Sequence, residues 1–231
     1  MIITGRREEN LIAAVKAIRE RSGSARVEYL VSDVTDPSAA TATLAAADRL
    51  LGPVDVLVLN AGGPPPGGIL DLDDPAWREA FELIVLGPLR LARLALPAMA
   101  ARGFGRVIAV TSTAVRQPQP DLALSVVLRS ALTSAVNLLA REYATQGVTV
   151  NCVAPGATDT GRRRQVLENR ARATGAGYAD LDAADAASIP AGRAADPAEV
   201  AATIAFLASD AASYINGTAL TVDGGRTETI G

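Results

Sequence analysis

Short apolar runs alternate along the chain with longer segments of helical periodicity, and this alternation restricts the fold more than any other feature. "MIITG", "RVEYLVSD", "VDVLVLN", "GRVIAVTS", "VTVNCVAPG" and "TALTVDGG" read as strands. The helical patterns between them are expected at 7–21, 37–51, 75–101, 122–146 and 197–207. Strands followed by helices, with apolar residues on both faces, predict an α/β fold with a doubly wound parallel sheet. "VDVLVLN" is expected to be buried on both faces. Asp74-Pro75 and Asp196-Pro197 are expected to start helices, with the aspartate as N-cap and proline at the first helical position. Asp196 and Glu199 add capping-box spacing. With 231 residues and no repeat, one domain spanning 1–231 is expected. Its polar, alanine-rich stretch at 157–190 would form a lid over a substrate.

Composition excludes several chemistries. The chain has no histidine, which rules out Ser-His-Asp hydrolysis, histidine general bases and histidine metal ligands. One cysteine, Cys152, allows neither an intrachain disulfide nor a cysteine zinc site, so no metal site is expected. Its place inside "VTVNCVAP" marks it as a small core residue. A net charge of -3 and pI near 5.1 give no general attraction for nucleic acid or an anionic membrane. No apolar run approaches the ~18 residues of a membrane span, and no signal-peptide pattern is present. A cytoplasmic protein acting on a small molecule, with no membrane or nucleic-acid partner, is expected.

The polar signals fall at strand ends, where ligands bind in open α/β sheets. Asn60, Ala61 and Gly62 end one strand, and "GGPPPGG" follows directly. Thr111 and Ser112 end the next. Ser125 and Arg129 share a face of the following helix at i, i+4. Pro155 and Gly156 end a further strand. In this order and spacing the signals resemble the short-chain dehydrogenase/reductase family, over nearly the whole chain down to "GRAADPAEVAATIAFLASDAASYINGTALTVDGG".

The resemblance implies a Rossmann-type sheet, an NAD(P) cofactor, a homodimer or homotetramer, and a catalytic set of Asn, Ser, Tyr and Lys. Carried over by position, Ser112 is the serine of that set. Ser125 stands where the tyrosine belongs, Arg129 where the lysine belongs, and Ile84 where the asparagine belongs. Asp33 and Val34 match the turn at adenine. Asn60, Ala61 and Gly62 match the segment at the adenine ribose. Thr111, Arg129, Pro155, Gly156 and Thr160 would lie around the nicotinamide half. Arg6 and Arg7 follow the strand where the family selects its cofactor, and arginine there suits the 2′-phosphate of NADP over NAD.

The tyrosine of the family protonates the carbonyl while lysine lowers its pKa. Serine is a much poorer acid, and arginine cannot shuttle protons. Arginine can bind anions and stabilise developing negative charge. Ser112, Ser125 and Arg129 therefore read as a binding and polarising trio, with the proton coming from water, substrate or a lid tyrosine such as Tyr178. The phrase "VTSTAVRQPQPDLALSVVLRSAL" also resembles an atypical branch named for 3-oxoacyl-carrier-protein reductases, whose members tend to carry Ser and Arg at these places. Two other readings stay open: a non-catalytic ligand-binding or subunit-partner protein, and a non-redox enzyme such as a dehydratase or cyclase.

The family's first strand, glycine-rich turn and first helix have no counterpart here, because "MIITGRREENL" reads as the second strand and the start of the next helix. An upstream in-frame extension of roughly 30 residues is expected to supply them. Otherwise the remaining strands must close the gap or pair with a partner, and the pyrophosphate lacks the turn and helix N-terminus that would cradle it, so NADP(H) binding is expected only with that segment supplied.

Overall fold

The computed structural model describes residues 1–229. Its strands are β1 (Ile2–Gly5), β2 (Glu28–Val31), β3 (Val56–Leu59), β4 (Gly105–Val110), β5 (Val148–Pro155) and β6 (Ala219–Val222). All pairings are parallel, in two sheets: β1 with β2, and β3-β4-β5-β6. The helices are α1 (Glu8–Ser22), α2 (Ala39–Leu51), α3 (Asp74–Phe81), α4 (Gly87–Ala101), α5 (Ala123–Tyr143), α6 (Gly161–Thr174), α7 (Tyr178–Ala187) and α8 (Pro197–Ala208).

Alternate residues of the central strands face opposite sides and build two cores. Val107, Ala109, Val150 and Cys152 pack against Leu96 and Met99 of α4 and Leu132 and Val136 of α5. Ile108 and Val153 pack on the other face, against Val200 and Leu207 of α8. Burial pushes the Cys152 thiol up to about 12, which makes it an inert core residue, although its contacts with Thr133 and Thr111 act the other way. The helical stretches Asp74–Ala101 and Ala123–Gln146 are long and apolar enough to cross a membrane by length and composition, contrary to the sequence expectation. Here the apolar faces of α4 and α5 cover the sheet instead.

Three other details correct the sequence reading. β3 is not buried on both faces: Val56 and Val58 are 42% and 43% exposed. Val56 and Val58 share one face, which no core cluster among the described residues covers, while Leu57 and Leu59 on the other face pack into the core beside α4 and α5. The side chain that caps α3 is Asp73, which accepts from the Ala76 amide at 3.0 Å, so Asp74 is already helical. The expected single helix over 75–101 passes through a π-turn at Glu82–Leu86. There the Gly87 amide reaches the Glu82 carbonyl, and Pro88 has no N–H to restore the α register. Gly87 also lies so close to the Val34 carbonyl that a Cβ would come within 2.5 Å of it. The Asp196 cap and its capping box with Glu199 are present as expected.

Candidate active site

A cavity of about 550 Å3 opens at the carboxyl ends of β3, β4 and β5. Asn60, Ala61, Gly62, Thr111, Ser112, Ser125, Arg129, Pro155, Gly156 and Thr160 all line it. Asn60, Ala61 and Gly62 also line a second cavity of about 230 Å3, between the ends of β1, β2 and β3. Arg6, Asp33 and Val34 stand in that second cavity. Ten of the sequence-singled residues thus converge in the first cavity, and three more join the second.

Three sequence candidates lie elsewhere. Arg7 begins α1 and is turned onto Asn10; with the Asn10 amide oriented to accept, it donates at 2.7 and 3.0 Å. Ile84 is buried in the π-turn against Leu124 and Leu128, so the position of the family's asparagine supplies core packing and no polar group. Tyr178 begins α7, is 38% exposed and does not line the cavity. Among the described residues no tyrosine lines it. The sequence's one lysine, Lys16, lies on exposed α1 beside Glu20. The chain therefore brings neither member of a Tyr–Lys proton relay to this place.

Each hydroxyl of the trio already accepts one protein hydrogen bond. Ser112 caps the short turn after β4, its Oγ accepting from the Ala114 amide at 3.1 Å. Ser125 Oγ accepts from Arg129 Nε at 3.1 Å. Each hydroxyl keeps its own O–H to donate. Arg129 Nη1 donates to the Val110 carbonyl at 2.8 Å, which pins the guanidinium to the end of β4. Arg129 is 9% exposed. Burial first, and then the nearby Arg162 guanidinium, push it down to about 10.

The remaining walls come from residues that sequence reasoning left unassigned. The stretch 157–190 folds mainly into α6 and α7, and α6 sends arginines into the cavity. Thr160 caps α6, accepting from the Arg163 amide at 3.4 Å. Arg162 donates to the Pro64 carbonyl at 2.6 Å and lies against Gly63, where a Cβ would come within 2.4 Å of its Nε. The "GGPPPGG" loop is thus the seat of this arginine. Arg163 pairs with Asp182 and Asp185, and Arg170 with Asp121. The available signal was "GRRR" at the helix start, set just past a Thr N-cap.

The comparisons with known proteins decide the family. The family model described as Enoyl-(Acyl carrier protein) reductase matches residues 1–227. The chain belongs to the short-chain dehydrogenase/reductase family. This family member is 35% identical over 217 residues to the 2-keto-3-deoxy-L-fuconate dehydrogenase of Xanthomonas campestris, covering 92% of this chain and 68% of that one. An actinorhodin polyketide ketoreductase variant solved with NADPH superposes with a TM-score of 0.94 at 31% identity, over 99% of this chain and 87% of that one. An NADPH-bound short-chain oxidoreductase of Pseudomonas aeruginosa, described as containing an atypical catalytic center, gives a TM-score of 0.87 at 32% identity with the same coverage. The α/β fold with its parallel sheet and flanking helices is that of these oxidoreductases.

Proposed function

We propose that this protein is an NADP(H)-dependent oxidoreductase that interconverts a carbonyl and a hydroxyl group on a small substrate, with Ser112, Ser125 and Arg129 as its polar site. The observation that carries this reading is the convergence of those three residues in a cavity whose Asn60–Gly62 wall it shares with a second cavity holding Arg6. The family's oxidoreductase chemistry and the NADPH-bound structural neighbours support it.

The residues present fit a dinucleotide at both of its ends. Arg6 is exposed at the end of β1 with no carboxylate within salt-bridge distance among the described residues, so it is free for a 2′-phosphate. Asp33 is held ionised by the Thr35 amide and hydroxyl, and Arg6 adds to this. Asp33 and Val34 would hold adenine, and Asn60, Ala61 and Gly62 its ribose. Thr111, Pro155, Gly156 and Thr160 would border the nicotinamide half. Gly156 is required on its own account, since a Cβ there would come within 2.6 Å of Asp223. When bound, the nicotinamide supplies or accepts the hydride.

Ser112 and Ser125 donate hydrogen bonds through their hydroxyls to the substrate oxygen and keep their protons. Arg129 stabilises the negative charge that develops there, and water in the open cavity supplies the proton. Arginine, rather than lysine, suits this role because it stays charged in the neutral range. A cytoplasmic homodimer or homotetramer completes the proposal, by analogy with the family. The test is to mix the protein with NADPH and a panel of ketones, keto acids and 3-oxoacyl thioesters, following nicotinamide absorbance and fluorescence. Carbonyl-dependent loss of absorbance is expected. Bound NADPH that no carbonyl oxidises, or product formed with no change in absorbance, would favour the non-redox readings.

A further inference from the structure

Five arginines line the larger cavity: Arg129, Arg162, Arg163, Arg170 and Arg226. Three are neutralised in place. Arg163 meets Asp182 and Asp185, Arg170 meets Asp121 at 2.7 Å, and Arg226 meets Asp185 at 2.8 Å. Arg129 and Arg162 have no carboxylate within salt-bridge distance among the described residues. The two unpaired cations are neighbours, because Arg162 acts on Arg129 as a like charge. Burial lowers the pKa of all four of Arg129, Arg162, Arg163 and Arg170, but in Arg163 and Arg170 the paired carboxylates outweigh it, so the net shift is downward in Arg129 and Arg162 and upward in the other two.

An unpaired guanidinium nine-tenths buried beside a second one is costly to the folded protein unless something offsets it. Neither is a mere hydrogen-bonding post. The protein accepts from Arg129 only at Nε and Nη1, and from Arg162 at Pro64 and Gln165. The other N–H groups of each fork remain for a ligand. The wall is also built to hold Arg162. Glycine at 63 makes room for its guanidinium, and the Pro64 carbonyl fixes it. Two planar forks facing one cavity match an oxyanion, through charge-assisted and bidentate hydrogen bonds.

We propose that Arg162 and Arg129 form an anion clamp, so that the compound handled in this cavity carries a carboxylate or phosphate group; its being a redox substrate rests on the reading above, whereas the clamp does not. Arg162 is then a specificity-determining residue that selects acidic substrates over neutral ones. The oxyanion could instead be a phosphate of the cofactor, and the arms of the test separate the two sources.

The experiment is calorimetric titration of the full-length protein at constant ionic strength. The probes are 2-oxobutyrate, its neutral analogue 2-oxobutanamide, and inorganic phosphate, each with and without saturating NADP+, which cannot reduce the oxo group. Binding of 2-oxobutyrate at least tenfold tighter than the amide, persisting with NADP+ bound, is the expected result. Arg162→Gln should reduce that preference to less than threefold and leave amide binding unchanged. Gly63→Ala should do the same with Arg162 still present, because the new Cβ displaces its guanidinium, and this guards against a folding defect in the first variant. Arg162→Lys should recover part of the preference. Equal affinity for acid and amide, no binding of either anion, or a preference that survives Arg162→Gln would overturn the clamp. Anion binding abolished by NADP+ would overturn its assignment to substrate. None of these readings needs turnover, so a protein that binds the acid selectively but oxidises no NADPH keeps the clamp and loses the redox reading.

Discussion

Ser125 and Arg129 sit one helical turn apart, and their hydrogen bond ties a neutral group to a charged one. Losing a neutral hydrogen bond costs about 0.5–1.5 kcal/mol and a charged one about twice that. Removing a charge aimed at developing negative charge lowers kcat by about a hundredfold to a thousandfold. Arg129→Ala is therefore expected to lower turnover far more than Ser125→Ala, as steady-state rates with NADPH would measure. Turnover should be flat from pH 6 to 9 and fall as pH rises through about 10, where Arg129 loses its proton. Stability runs the other way. A cation whose folded pKa lies below its unfolded value costs stability below that pKa, and the cost is relieved as pH rises through about 10. At the other end of the site, Arg6→Ala should weaken NADPH about tenfold to a hundredfold and leave NADH unchanged, as fluorescence titration would read. The chain order of Asn60, Ser112, Ser125, Arg129 and Gly156 made their convergence readable before any coordinates. Arg7 was not separable from Arg6 by sequence, because which of two adjacent side chains faces a cleft depends on the helix start. Arg162 was missed because its meaning depends on Gly63, a residue about a hundred positions away that only folding brings beneath it.

Element boundaries tell a similar story. The capping box at α8 is local chemistry, so Asp196 and Glu199 could be assigned from spacing alone. Asp196→Ala should lower stability by about 0.5–2 kcal/mol, measured by urea denaturation. Glu199 is held down to about 2 by Arg193 and the Asp196 amide. A carboxylate with a depressed pKa contributes stability above its unfolded pKa and loses it as pH falls through the folded one. That contribution should therefore fade between about pH 4.5 and pH 2, and be absent in Glu199→Gln. At α3 two adjacent aspartates competed for the cap, and periodicity could not choose between them. Since Asp73 accepts the Ala76 amide, Asp73→Ala should cost about 0.5–2 kcal/mol. Asp74→Ala should cost less than about 1 kcal/mol, the scale of its exposed pair with Arg78. The π-turn at Glu82–Leu86 was not readable, because it answers to packing of Gly87 on the Val34 carbonyl from another element.

At the scale of the molecule, the doubly wound architecture followed from strand–helix alternation, since apolar strands of this kind must be covered on both faces. What alternation could not show is pairing. β1 and β2 stand as one sheet and β3 to β6 as another, and β3 carries Val56 and Val58 on a face left exposed. The charge pattern was equally non-local: a chain of net charge -3 concentrates five arginines around one cavity. In the proposed reaction the site polarises a carbonyl through serines and arginine without a Tyr–Lys relay. The direct test is transfer of deuterium from C4-deuterated NADPH to a carbonyl substrate, followed by mass spectrometry from pH 6 to 9 in the native protein and in Ser125→Ala and Arg129→Ala. The predicted result is label in the product at a rate independent of pH, nearly retained in Ser125→Ala and lost in Arg129→Ala. No label transfer at any pH, or a pH-dependent rate that vanishes in Ser125→Ala and survives in Arg129→Ala, would contradict it.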